Sequence, residues 1–270
     1  MGAAKLVNRF FDLLWAPFGG HGWLALAVVS ALTGILLLWL FKLVTPQARL
    51  AAARRRLLGH LYEMGLYQDD LPTLMRVQGA LALANLRYVT LTLPALLVLL
   101  PPAALVLVHL EARYQHPALV PGETVLVRAH VDPGRPGLVD ALRLDPGAGL
   151  ALDAPPVRDA AGSAVWWRLR VESPGRHEVT LSDGASGRWT KAVKADAGVR
   201  PASLRRERGG AWRALIDPAE PPLPADGPLA AVELRTAPEP DWFAQRWFWG
   251  FCVFSVAGGL AVKRWLKVEL

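Results

Sequence analysis

Hydrophobic and polar positions follow three different periods along this chain. Residues 23–44, 88–111 and 242–262 are apolar at most positions, with tryptophans near the ends of the first and third. About 20 consecutive apolar residues cross the hydrocarbon core of a bilayer, so each run predicts a membrane-spanning helix. Between the first two runs, Leu50, Leu57, Leu61 and Met64 recur at helical spacing, followed by Leu71, Leu74, Met75, Gln78 and Leu81. These stripes predict a helical hairpin over residues 45–87, its second helix able to run straight into the next apolar segment. Thr45-Pro46 has the form of a helix start and Gly65 of a C-terminal cap. Asp69 and Asp70 fit the head of the second helix, where carboxylates meet free amides and the positive end of the dipole. Within residues 112–241 the period drops to 2.

That stretch reads as an all-β domain. "TVLVRAHV" places Val125, Val127, Ala129 and Val131 on one side of a strand. "AVWWRLRVESPGRHEVTLSDGASGRWTKAVKA" reads as a three-stranded meander with Ser-Pro-Gly and Asp-Gly-Ala-Ser-Gly turns. Residues 138–144, 150–152 and 229–234 raise the expectation to about seven short strands in an immunoglobulin-like sandwich. The turn "SPGRHEVTLSDG" resembles the late hairpin of many bacterial Ig-like domains, which implies protein binding or spacing.

The second apolar run carries Pro94, Pro101 and Pro102. Each proline removes a backbone donor and clashes with the preceding turn, at roughly 3 kcal/mol or more in a helix interior. In lipid the freed groups must be satisfied by neighbours, water or side chains. The segment is therefore expected to be kinked, either as a simple anchor or as a helix that packs on protein or lines a wet groove. Thr90 and Thr92 are placed to supply local hydrogen bonds. His109 and Glu111 fall near the boundary and are expected to be interfacial.

Charge sets the orientation. Of 30 basic and 23 acidic residues, residues 112–241 hold 17 of each, so the whole net charge of +7 lies outside the β-domain. Lys42, Arg54, Arg55, Arg56 and Arg87 flank or occupy the hairpin, and Lys263, Arg264 and Lys267 follow the third run in a basic tail, residues 263–270. Basic loops stay in the cytoplasm, which puts the hairpin and the tail inside and the N-terminus and β-domain outside. The basic cluster is expected to face lipid headgroups or a partner rather than nucleic acid. A cleaved signal peptide competes for residues 23–44, but the run exceeds an h-region and no small-x-small site follows, which favours a retained anchor. Residues 1–22, "AAKLVNRFFDLLWAPFGG" among them, place Leu6, Phe10, Leu13 and Leu14 on one face and predict an interfacial helix.

Candidate chemistry is sparse. Cys252 is the single cysteine, so no disulfide framework exists within the chain. No phosphate loop, dinucleotide fingerprint or H-E-x-x-H motif occurs. Ser173, His177 and Asp183 could form a triad only on paper, since no nucleophile elbow surrounds the serine. Asp69 and Asp70 point about 100° apart on a helix and do not converge as paired acids. His130 is a lone strand histidine. The sequence therefore predicts no catalytic residue, no metal and no cofactor, and no small-molecule substrate. Its expected partners are membrane lipids and other membrane or envelope proteins.

The order of these elements supplies one resemblance. An outside N-terminus, one span, a cytoplasmic helical hairpin, two further spans and an inside basic tail is similar to the minimal core of the YidC-type membrane insertase superfamily. The similarity covers roughly residues 23–112 and 242–270 and lies in order and topology. It implies that residues 45–86 contact incoming chains and that a polar groove opens to the cytoplasm. The chain departs from the family in having only Lys42, at the end of its first span, where the bacterial insertases have a basic residue midway. A β-domain also fills a connection that is normally short. The expected fold is thus three transmembrane helices with a cytoplasmic hairpin and an extracytoplasmic Ig-like β-sandwich, in a bacterial inner membrane. The expected role is non-enzymatic, either presenting the two domains to an envelope assembly or acting as an insertase.

Overall fold

A computed structural model describes residues 2–18, 21–67, 70–115, 119–185, 187–196, 201–235, 246–266 and 268. In chain order the helices are α1 (Gly2–Trp15), α2 (Gly22–Val44), α3 (Gln47–Leu66), α4 (Leu71–Tyr114), α5 (Leu138–Ala141), α6 (Ala211–Ile216) and α7 (Arg246–Leu266). The strands are β1 (Thr124–Val131), β2 (Arg143–Asp145), β3 (Leu150–Leu152), β4 (Val157–Asp159), β5 (Ala164–Val171), β6 (Gly175–Ser182), β7 (Arg188–Ala195), β8 (Arg205–Glu207) and β9 (Leu229–Arg235). They divide into two compact units. One is Met1–Leu26 with Leu107–Trp249, and the other is Ala27–Val106 with Gly250–Leu270.

The second unit is helical. α2 and α4 are both long and apolar enough to cross a membrane, with window hydropathies of 2.5 and 2.4. Each leaves large apolar side chains uncovered: Leu32, Leu36, Trp39 and Leu43 on α2, and Leu93, Leu96, Leu97 and Leu100 on α4. A soluble protein hides such a surface, whereas lipid solvates it. α4 runs for 44 residues straight through Pro94, Pro101 and Pro102. Thr90 Oγ1 bonds the Arg87 carbonyl at 2.9 Å and Thr92 Oγ1 the Val89 carbonyl at 3.0 Å. Both bonds lie just before the Thr90 carbonyl, which Pro94 deprives of its helical donor; Pro101 and Pro102 do the same to Leu97 and Val98.

Several predicted boundaries shift. α3 begins at Gln47 with Pro46 as its cap and no side-chain capping bond, while the Thr45 hydroxyl is buried without a partner. Gly65 lies inside α3, which ends at Leu66 because Gly65 stays helical instead of taking the left-handed cap conformation. Asp70 does cap α4, its carboxylate accepting from the Thr73 amide at 3.5 Å and also from the Thr73 hydroxyl. Asp69 and Trp242 lie outside the described residues. α7 runs to Leu266, so Lys263 and Arg264 occupy its last turn, where cations favour the negative end of the helix dipole. α7 is not one of the two helices apolar enough to cross a membrane by composition. Arg246, Lys263 and Arg264 and its weakly hydrophobic tryptophans dilute it.

The first unit is built on two antiparallel sheets. One has the order β3-β5-β1-β9-β8, with β4 also paired to β5; the other has the order β2-β6-β7. Inward residues of both sheets, among them Val127, Trp167, Leu169, Leu181, Trp189 and Val193, form one core. The predicted alternation of β1 holds along its length. The predicted meander does not: β6 pairs with β7, but β5 pairs with β1, β3 and β4. The Ser-Pro-Gly turn moves the chain from one sheet to the other, with Gly175 at φ 139°, where side chains are strained. Residues 138–144 form α5 and the short β2 rather than one strand.

Candidate functional site

Three places among the described residues bring together closely packed or paired side chains. The first lies in the helical unit, where α2 and α7 meet through their backbones. A Cβ on Gly34 would overlap the Ser255 carbonyl oxygen, and one on Gly258 would sit 2.5 Å from the Ala31 carbonyl oxygen. Small residues allow such close approach, the usual device by which helices associate where no hydrophobic force distinguishes protein from lipid. Ser30, Thr33 and Gly34 are accordingly buried.

Beside this crossing is an apolar crevice of about 310 Å³. Gly34, Leu37, Leu38 and Phe41 of α2, Leu99 of α4 and Ser255, Val256, Gly259 and Leu260 of α7 line it. Ser255 Oγ already donates to the Cys252 carbonyl at 3.1 Å. Leu99 sits between Pro94 and Pro101, so the prolines frame the α4 wall. Pro94 and Pro101 are exposed and Pro102 is half-buried. The basic residues Lys42, Arg54, Arg55, Arg56 and Arg87 are all exposed. Lys42 directly follows Phe41 of the crevice.

The second place lies in the first unit, where α1 meets the end of α4. His109 is fully buried and stacks on Phe11 with ring centroids 3.8 Å apart. Arg113, one turn on, donates to Asp12 at 2.5 Å and to the His109 carbonyl at 3.2 Å, with its guanidinium 4.5 Å over the Trp15 ring. Tyr114 donates to the Gly22 carbonyl at 2.7 Å and accepts from Trp15 Nε1 at 3.2 Å. His109 is therefore enclosed by protein. Its i, i+4 spacing to Arg113 is visible in the sequence, but Asp12, the carboxylate that pairs with Arg113, lies 101 residues before it. α1 carries two apolar faces: Ala4, Phe11 and Trp15 are buried, while Leu6, Phe10 and Leu13 are exposed.

The β-domain holds a buried ion cluster that alternation could have revealed. In "RWTKAVKA" the inward positions are Trp189, Lys191, Val193 and Ala195, which puts a lysine on the core side. Lys191 is fully buried, paired with Glu220 and donating to the Ser203 carbonyl at 2.6 Å. Burial pushes its ammonium below the usual lysine range, and Glu220 and Asp217 oppose that shift. Burial also raises Asp217, which accepts from Ser203 Oγ at 3.0 Å. Glu220 caps the Ala192 amide of β7 at 2.5 Å, and Arg206 caps the Thr190 carbonyl. These side chains satisfy the free edge of the smaller sheet, where another strand would otherwise pair.

The paper triad is not assembled. The His177 ring nitrogens face the carbonyls of Ser173 and Ala148 at 2.7 and 2.9 Å, and Asp183 accepts from the amides of Ala185 and Gly187. His130 meets Glu233 across the sheet at 3.3 Å. Among the described residues no group of three His, Cys, Asp or Glu side chains could hold a metal. Comparison with protein-family models, curated proteins and solved structures finds no match to this chain.

Proposed function

We propose that the chain is a non-enzymatic integral protein of a bacterial inner membrane. It presents an extracytoplasmic Ig-like β-domain and a cytoplasmic helical hairpin to partners in an envelope assembly. The observation that carries this reading is the glycine-mediated contact of α2 with α7. It gives α7, too weakly apolar to qualify alone, a packing partner among spanning helices, as expected of a third span. The exposed apolar face of α1 fits a helix lying in the outer interface. The bridging of the free β7 edge by Glu220 and Arg206 suits a domain that meets partners without aggregating through its strands.

Orientation is tested by labelling. With Cys252 replaced by alanine, cysteines placed singly at Ala48 and Ala185 should react oppositely with an impermeant maleimide in intact spheroplasts. Position 185 is expected to label from outside and position 48 only after lysis. Labelling of position 48 in intact cells would reverse the orientation.

A second reading is an insertase-like chaperone. Tyr62, Leu66, Leu71 and Met75 stand exposed on the two helices of the hairpin, an apolar surface that an incoming segment could cover. Crosslinking from Tyr62 separates the two readings. Many nascent membrane proteins there would favour the chaperone, and one recurrent neighbour would favour the scaffold.

The prolines give a third test. Leucine at positions 94, 101 and 102 restores three backbone donors to α4, a gain of roughly 3 kcal/mol per site for an isolated helix. The triple variant is expected to insert at wild-type levels yet lose partner association in pull-down, because the wall holding Leu99 is reshaped. Unchanged association would reduce the prolines to a tolerated feature of an anchor.

A further inference from the structure

We infer that the crevice between α2, α4 and α7 is a binding site for one acyl chain of an anionic phospholipid from the surrounding bilayer. The inference rests on the reading that these helices span the membrane. A space of about 310 Å³ falls within the range of cavities that hold ligands, roughly 300–1,000 Å³. Left empty, it would forfeit dispersion contacts along its whole lining. Water is a poor occupant of this open apolar groove, because an ordered water needs two to four polar partners. The lining offers only the Ser255 hydroxyl, already donating to Cys252. Hydrocarbon is the remaining occupant, and the membrane supplies it from every side. The same absence of polar lining argues against a hydrophilic client segment at this place.

Charge selects the headgroup. The α2 wall runs from Gly34 to Phe41, about 10 Å at 1.5 Å per residue, and Lys42 comes next. The α7 wall runs to Leu260, with Lys263 and Arg264 about one turn beyond. An acyl chain along the crevice therefore ends, on both walls, at cations suited to a phosphate. Near a membrane surface each Lys or Arg adds roughly fivefold in affinity for an anionic lipid.

The full-length protein in phosphatidylcholine vesicles, with a trace of phosphatidylglycerol bearing an acyl-chain diazirine, provides the test. After photolysis and digestion, adducts are expected on Leu37, Phe41, Leu99 and Val256, and unlabelled phosphatidylglycerol should compete better than phosphatidylcholine. A Cβ on Gly259 meets only the Gly34 backbone, at 3.5 Å or more, so Gly259→Leu fills the crevice without breaking the crossing. That variant, or Val256→Phe should it fold poorly, is expected to lose these adducts. Gln at Lys42, Lys263 and Arg264 should bring the two lipids to equal competition. Adducts spread evenly onto the outward Leu36, Leu97 and Val253 would overturn the inference, as would equal competition in the unmodified protein. Carbonate extraction of the expressing membranes reports separately on the spanning reading, since a chain released by carbonate fails that reading whatever the adduct pattern.

Discussion

Replacing Glu220 by leucine is expected to destabilise the β-domain by about 3–5 kcal/mol, since removing one partner of a buried ion pair leaves an uncompensated charge. Lys191 is fully buried and the Glu220 side chain is 8% exposed, so solvent screening gives little relief. The same change also frees the Ala192 amide on the edge of β7. Pairing Glu220→Leu with Lys191→Met should recover most of the loss, because a well-packed apolar pair is often as stable as the ion pair it replaces. Thermal unfolding of the detergent-solubilised chain, followed by circular dichroism in the β region, measures both variants. A single variant that melts with the unmodified protein would show that the pair contributes nothing.

The cluster also fixes the sign of a pH effect. Asp217 holds its proton more tightly in the folded state than in the unfolded chain, owing first to burial. Its contribution to stability is therefore complete below the ordinary aspartate range and is lost as pH rises through the raised folded value. Lys191 works in the alkaline range. Its folded value is depressed, so the unfolded chain binds more protons between that value and the ordinary lysine range, and stability rises with pH there. Asp217→Asn keeps an acceptor for Ser203 and should remove only the acidic limb. A melting temperature rising more between pH 4 and 7 in the variant than in the parent would agree, and parallel curves would not.

Legibility in the sequence followed the range of the interactions. α2 and α4 are legible because about 20 consecutive apolar residues need no partner in view, and the inward residues of β1 because burial on one side writes a period of 2 into consecutive positions. The partner of β5 was not legible. Alternation says which face of a strand is buried and nothing about which strand lies beside it, so the Ser-Pro-Gly turn read as a hairpin when it carries the chain between sheets. β4 and β8, at three residues each, are too short to show a period. The Arg113 site failed for another reason. His109 and Arg113 stand at helical spacing in the sequence, but the one apolar face expected of α1 is the face for lipid. Its second face, with Phe11 and Trp15, is what encloses the histidine. Gly34 and Gly258 each read as ordinary glycines in apolar runs, and only the meeting of their helices, Gly34 against Ser255 and Gly258 against Ala31, gives them a role.

That meeting sets the largest effect expected in the helical unit. Gly34→Leu would drive a side chain into the backbone of α7 at Ser255, where no rotamer can move the obstruction away. Overpacking of ordinary cores costs about 1–3 kcal/mol because side chains can shift. Here a helix must move, so the loss should reach or exceed the upper end. Gly258→Leu meets the Ala31 carbonyl on the opposite wall and should have the same effect, while the double variant should cost little more than either alone, since one displacement relieves both clashes. Gly79, with open space around it, is the control, and Gly79→Leu should leave the contact intact. A short bis-maleimide crosslink between cysteines at Leu38 and Gly259, which line the same crevice, formed after removal of Cys252, reports whether the helices remain together. Efficient crosslinking in Gly34→Leu would show that α2 and α7 do not depend on their glycines. The case for α7 as a packed third span would then fall with it.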